Sequence, residues 1–576
     1  MASKLQHAKS GARSRNNSDT LHRNLWEMAG LILLLCATAT FSTAQTFTTL
    51  YSFAGTAAND GSLPGYGALV QGFDGNLYGT TVQGGINCSE GAAGCGEVFK
   101  ITPGGVLTGI HEFCAAGSCP DGNQPEGGLA LNIDGSLYGM TQFGGTSGSG
   151  TVFKITPGAP LDTLYSFDGT IGAEPMSTLV RAGNGNFYGI TQTGGITGSG
   201  AIVKVTPRGI VSLVHSLSNT VGIGQSDPAA LAQGTDGNFY GVTGVGGSFG
   251  VGTVFRLTPG GMLTVLHNFS GTPDGAAPSG TLVQGTDGDF YGTTRQGGAN
   301  GRGTVFKITP AGELNIVYSF CPLNGCPDGF DPVGGLVQAA DKNFYGTTLG
   351  GGSGSRNGTV FQMTPAGKLK TLHSFTGLEG SEPLAGLVQH TSGIFYGTTN
   401  AGGANDMGSI FSLSMGKSLN PFVELVTTIG KVGASVVILG DGLTGTSEVS
   451  FGGASAAFQV VSDTEITTTV PGGATTDVVT VTTPTGTLTS NKNFAVTPQI
   501  TGFNPNSGGV GTLVTIDGVS LTQTSSVKFR GKPAAFTVNS DTQVTATVPA
   551  GAVSGKIMVT TPGGRANSAT AFTVTP

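Results

Sequence analysis

The chain has 576 residues, of which 38% are apolar and only 10% charged, with 101 glycines and a formal net charge of −7. That length can bury more than one core, and so few charges beside so many aliphatics exclude a disordered chain despite the glycine content. The acidic balance argues against a nucleic-acid groove.

Residues 1–44 read as an export signal. Lys4, Lys9, Arg13, Arg15 and Arg23 precede an apolar stretch at 28–39, and Ser42, Thr43 and Ala44 offer small residues for cleavage. This segment holds five Lys/Arg and two Asp/Glu, so its removal takes the net charge from −7 to −7 − 3 = −10. The apolar run is too short to cross a bilayer comfortably. The expected product is secreted, periplasmic or on the cell surface, with no membrane span.

From residue 45 to 415 one unit recurs. Tyr-Gly appears at Tyr78, Tyr138, Tyr188, Tyr240, Tyr291, Tyr345 and Tyr396, spaced by 60, 50, 52, 51, 54 and 51 residues. Each copy has a short apolar run, a turn such as DGN, an FYGTT core, a Gly-Gly loop, GTVFKITP, and LYSF or LHSF. A period of about 50 residues made of strand and turn signals implies one propeller blade per copy. In the first copy strands are expected at 67–71, 77–82, 97–102 and 107–113, with Asp74-Gly75 as a tight hairpin turn and Pro103-Gly104-Gly105 as a second. The ends complete each other: 46–53 is a fourth strand with no blade before it, and 409–414 a third strand with no fourth after it. Pairing the two would close a seven-bladed ring and remove its exposed edges.

After residue 416 the repeat stops, and two segments match at a constant offset of 78. Gly433 corresponds to Gly511, Phe451 to Phe529, Pro484 to Pro562 and Phe494 to Phe572. Short strands between Gly, Asn, Asp and Pro turns point to two small β-sandwiches, at 416–497 and 498–576. The fold class expected is therefore all-β: a seven-bladed propeller followed by two immunoglobulin-like sandwiches.

The LVQ, DGNFYGTT, GTVFKITP, LYSF unit resembles the GloVer repeat of exported bacterial proteins over about 46–415. That resemblance implies export and a propeller-like array without assigned chemistry. The segment PQITGFNPNSGGVGTLVTIDG at 498–518 resembles an IPT/TIG domain, which implies an exported spacer or adhesion module; the copy at 420–497 lacks the FNPNSGG opening.

Six cysteines follow the signal, in three local pairs: Cys88 with Cys95, Cys114 with Cys119, Cys321 with Cys326. Export, even count and loop placement favour three disulfides over zinc, because the pairs belong to different blades and no histidine has ligand spacing. His111, His215, His267 and His373 share one repeat position with Tyr51, Tyr165 and Tyr318, on outer strands too far apart to share an ion. The recurring Asp74, Asp134, Asp236, Asp287 and Asp341 read as turn residues rather than calcium ligands. Glu174, Glu313, Glu379 and Glu382 are scattered, and no nucleophile elbow, zinc helix or phosphate loop occurs. No catalytic residue, metal or cofactor is expected.

One ring stands out. The end of the first strand carries Gln71, Leu131, Arg181, Gln233, Gln284, Gln338 and Gln389. These residues either satisfy backbone groups near the axis or line a ligand site in which Arg181 is the sole cation. The function expected is that of a monomeric, non-catalytic binding or adhesion protein whose partner is an extracellular glycan or surface protein. The alternative is a polysaccharide-active hydrolase or lyase with its site at the propeller mouth.

Overall fold

In five of the seven repeats an aromatic pair opens the second strand and puts two rings on opposite faces of its sheet, because successive strand side chains alternate; the first two repeats have Leu77-Tyr78 and Leu137-Tyr138 there. One ring meets the preceding sheet and the other the following sheet. Tyr138 stacks on Phe187, Tyr188 on Phe239, Tyr240 on Phe290, Tyr291 on Phe344 and Tyr345 on Phe395, with centroids 4.0–4.2 Å apart. The tyrosines are buried, and several hydroxyls donate to the turn aspartate four residues earlier, as Tyr291 does to Asp287 at 2.7 Å. Burial together with that carboxylate pushes the Tyr291 pKa up to about 12.

The computed structural model describes residues 45–576 except 56–59, 86–94, 116–118, 219–230, 355 and 417–418. The expected export signal at 1–44 lies outside the described residues. The described residues contain no helix beyond isolated turns and are built from small, mainly antiparallel sheets. Seven of these sheets fall in the repeat region. Sheet 1 comprises Val70–Gln71, Leu77–Gly84, Glu97–Ile101 and Leu107–Glu112, with Gly61–Pro64 as an additional short strand. The first strand is thus shorter than the expected 67–71: Gly67 leaves the ladder to approach sheet 2, where an added Cβ would sit 2.1 Å from the Gly128 nitrogen.

Thr46–Ser52 pairs antiparallel with Ser409–Ser414, from Thr46 opposite Ser414 to Ser52 opposite Ser409, and so supplies the outer strand of the seventh sheet. Apolar clusters join each sheet to the next. The cluster holding Tyr396 and Ile410 with Leu77 and Phe99 joins the seventh sheet to the first. A second set of links runs between sheets: Leu63, Gln124, Glu174, Ala277, Asp331 and Glu382, each before a proline, take φ of 50–56°. Their N–H groups donate to a loop carbonyl of the preceding sheet, as Glu174 does to Ser149 at 2.9 Å. That hydrogen bond offsets a left-handed backbone that non-glycine residues rarely adopt.

The C-terminal region forms two units of the same topology. Each has a four-stranded and a five-stranded sheet around one core, centred on Phe451 and Phe494 in the first and on Phe529 and Phe572 in the second. The first unit sits on the tight-turn end of the seven-sheet array. Thr464 Oγ1 donates to the Phe73 carbonyl at 2.6 Å and Phe422 N to the Thr391 carbonyl at 3.0 Å, while an added Cβ at Gly183 would meet Ile429 Cγ2 at 2.2 Å.

Candidate functional site

The first strands of all seven sheets line one cavity of about 600 Å³. Its floor is apolar, from Leu69, Leu129, Leu179, Leu231 and Leu282, and its roof is the segment Glu424 to Ile429 of the first sandwich, with Lys492 and Asn493 beside it. A second cavity of about 240 Å³ shares Leu69, Val70, Leu129 and Thr281 and extends to Tyr66, Met176, Val333 and Leu384 near the loop end of the array.

The glutamine ring borders the larger cavity and also ties the sheets together. Gln233 Oε1 accepts from Gly183 N at 2.8 Å, Gln284 Oε1 from Thr235 N at 2.9 Å, Gln338 Oε1 from Thr286 N at 3.0 Å and Gln389 Oε1 from Ala340 N at 3.2 Å, each across to the preceding sheet. The amide nitrogens of Gln233, Gln284 and Gln338 donate to their own turns. Gln71 bonds Thr391 of the seventh sheet through both its oxygen and its nitrogen. The nitrogen of Gln389 is buried without a partner. Leu131 lines the cavity as an apolar member of the ring.

Arg181 departs from this pattern. Its Nε donates to Asn132 Oδ1 at 2.9 Å and its Nη1 to Thr427 Oγ1 of the roof. Burial lowers its pKa, opposed by Asp134. Arg181 is the one cation of the ring, and the sandwich brings a second, Lys492, to the same cavity. Glu424 faces the cavity as well. Burial raises its pKa, while Lys492 pulls the other way. No ion pair within 4 Å joins Arg181, Lys492 or Glu424 to a partner among the described residues.

The other recurrent polar residues bond locally. His111 meets Asp121 at 2.9 Å, His267 meets Asp274 at 2.9 Å and His373 meets Glu379 at 3.2 Å, while Tyr51 donates to Asp60 and Tyr318 to Asp328. His215 instead bonds the Gly261 carbonyl. These carboxylates also accept from a backbone N–H after the outer strand, for example Cys114 N on Asp121. The second recurring Asp-Gly that carries most of them is legible in the sequence and was missed. The turn aspartates bond their own turns, as Asn76 N does to Asp74 Oδ1 at 3.1 Å.

Disulfides join Cys114 to Cys119 and Cys321 to Cys326. Cys95 is also disulfide-bonded, while Cys88 lies outside the described residues. The separation of the cysteine pairs into different blades needs correction. The sulfurs of Cys95, Cys114 and Cys119 lie within 4.8 Å of one another, because the loops before the third strand and after the fourth strand of sheet 1 emerge at the same end. All three are oxidised, and a disulfide sulfur lacks the thiolate that a metal needs.

Two further carboxyls are pushed up to about 7. Glu97 opens the third strand of sheet 1, where sheets 2, 4, 5, 6 and 7 have Thr151, Thr253, Thr304, Thr359 and Ser409. Those hydroxyls meet the second-strand threonine at 2.8–2.9 Å. Glu97 is 1% exposed, and its Oε1 has no partner. Burial, with Asp60 and Glu112 nearby, raises its pKa to about 7 against a hydrogen bond from Gly61. Burial alone raises Glu126 to about 7; it adjoins Gly127 of the smaller cavity.

With this geometry in view the comparisons can be placed. The chain is built of repeats followed by a C-terminal module: the Gloeobacter/Verrucomicrobia repeat matches at 38–196, 163–328, 227–461 and 322–510, and an IPT/TIG domain at 498–574. It belongs to the Gloeobacter/Verrucomicrobia repeat family. No curated protein matches the chain. Among solved structures it is similar to a fungal alcohol oxidase of the AA5 family in complex with copper, at 12% identity and TM-score 0.36, covering 89% of this chain and 98% of that one. A protein of unknown function from Bacteroides thetaiotaomicron is 14% identical with TM-score 0.35, covering 64% and 76%. A surface glycan-binding protein from Prevotella bryantii is 17% identical with TM-score 0.21, covering 27% of this chain and 39% of that one. Likenesses at these scores assign neither chemistry nor ligand.

Proposed function

We propose that this chain is an exported, non-catalytic binding or adhesion protein. In this reading the seven sheets are the blades of a closed propeller that serves as the interaction platform. The two C-terminal units are immunoglobulin-like spacers, and the partner is an extracellular glycan or a surface protein. One observation carries the reading. The polar side chains that recur in the copies are largely engaged within or between sheets, whereas three charged groups that do not recur, Arg181 of the third sheet and Glu424 and Lys492 of the first sandwich, converge on one cavity. A repeated scaffold with one non-repeated polar chamber suits recognition, because small-molecule sites are concave, mostly apolar and carry a few placed polar groups. The test is an array of glycans and matrix proteins probed with the chain from Gln45 onward. Selective retention of one class supports the reading, and a chain that retains nothing refutes it.

The enzymatic alternative has one observation in its favour: Glu126, whose chain neighbour Gly127 lines the smaller cavity, is pushed up to about 7 by burial, an acidity that suits a general acid or base. Polysaccharide turnover by the chain that is abolished in Glu126→Gln would replace the binding reading with this one.

A further inference from the structure

Charge placed inside a protein is costly unless it is paired or hydrogen-bonded. The chamber between the array and the first sandwich carries the half-buried Arg181 and Glu424, with the exposed Lys492 at its rim, and none of the three lies in an ion pair within 4 Å among the described residues. The glutamines cannot compensate them: Gln233, Gln284 and Gln338 already use both amide ends. Arg181 retains donors beyond those taken by Asn132 and Thr427, and Lys492 has three. Opposite this charged roof lies the leucine floor. The chamber thus offers a surplus of positive charge, one carboxyl acceptor and an apolar wall in about 600 Å³, a volume within the roughly 300–1,000 Å³ usual for small-molecule sites.

We propose that the chamber binds a small sugar acid, a uronate or aldonate, whose carboxylate takes Arg181 and Lys492 while a hydroxyl donates to Glu424 and the carbon face rests on the leucines. A neutral sugar would leave the half-buried Arg181 guanidinium without an anion. An aliphatic acid would leave Glu424 without a donor. The inference rests on the binding reading above and names the ligand class for that same chamber.

The test is calorimetric titration of the chain from Gln45 onward with galacturonate, gluconate, galactose and hexanoate, alongside Lys492→Met and Arg181→Met. Arg181 also holds the roof through Thr427, so Lys492→Met, which breaks no hydrogen bond among the described residues, is the decisive variant. The expected result is binding of a sugar acid, no binding of galactose or hexanoate, and at least tenfold weaker binding by Lys492→Met with an unchanged melting temperature. Equal binding of galactose, or sugar-acid binding indifferent to Lys492→Met, overturns the ligand class. Retention of neutral glycans on the array without any sugar-acid heat overturns the inference and leaves the proposed function standing. Silence in both assays overturns both.

Discussion

Replacing Glu97 with threonine restores the residue that four of the other six sheets use at that position. At pH 8 the folded protein holds Glu97 ionised in a site that raises its pKa to about 7 from the 4.5 of a free glutamate side chain. The shift of about 2.5 pH units corresponds to roughly 3 kcal/mol. Because the folded pKa is the higher one, the native state binds the extra proton between about pH 4.5 and 7. Stability therefore falls as pH rises through that window, by up to about 1.4 kcal/mol per unit, and is level above it. Glu97→Thr removes this loss. It also lets the new hydroxyl bond Thr81, for about 1 kcal/mol, against a small vacated volume costing about 0.5 kcal/mol. Urea unfolding of the array, followed by tyrosine fluorescence at pH 5 and pH 8, should show the variant gaining about 2–3 kcal/mol more at pH 8 than at pH 5. Asp60 and Glu112 are charged neighbours of Glu97, so Glu97→Gln is the control for their share. If variant and wild type run parallel from pH 5 to 8, Glu97 is not held protonated and the argument fails.

Three further outcomes are expected. Tyr240→Phe keeps the stack on Phe290 but loses the bond to Asp236 and should destabilise by about 1 kcal/mol, whereas Tyr240→Ala should lose about 3–5 kcal/mol; equal effects of the two in chemical denaturation would contradict the stacking account. Gly67→Ala drives a methyl into the Gly128 backbone and should lower the melting temperature far more than Gly185→Ala, which meets nothing nearby but has φ of 80°. Converting Cys114 and Cys119 together to serine opens a short loop and should cost about 2 kcal/mol, visible as faster hydrogen exchange confined to that loop.

What the sequence made legible follows from the repeat. Copies about 50 residues apart reveal strand and turn positions because the same local chemistry recurs, and the unmatched segments at 46–53 and 409–414 reveal their pairing because each lacks what the other has. The bonds of Cys114 with Cys119 and Cys321 with Cys326 were readable because each spans five residues. Glu97 was visible too, as an acid in a column of hydroxyls, but only on comparing copies position by position. The seat of the first sandwich on the array could not be read. It depends on Thr464 and Ile429 meeting residues more than two hundred positions away and on Phe422 meeting Thr391, a complementarity of surfaces that no periodicity encodes. For the same reason Lys492 and Glu424 were not associated with Arg181. The glutamine positions are legible as a recurring column, but their bonds to the neighbouring sheet concern a partner strand about 50 residues distant.

The pairing of Thr46–Ser52 with Ser409–Ser414 has a temporal meaning. The strand synthesised first needs a partner made some 360 residues later, so it must remain unpaired while six sheets assemble behind it. At roughly 5–20 residues per second that wait lasts on the order of tens of seconds. The interval is long enough for a free β-edge to find another chain. Threonines at 46, 48 and 49 make the waiting strand less greasy than the apolar segments it will later cover, and a nascent-chain assay stalled before residue 409 would catch it still accessible to protease.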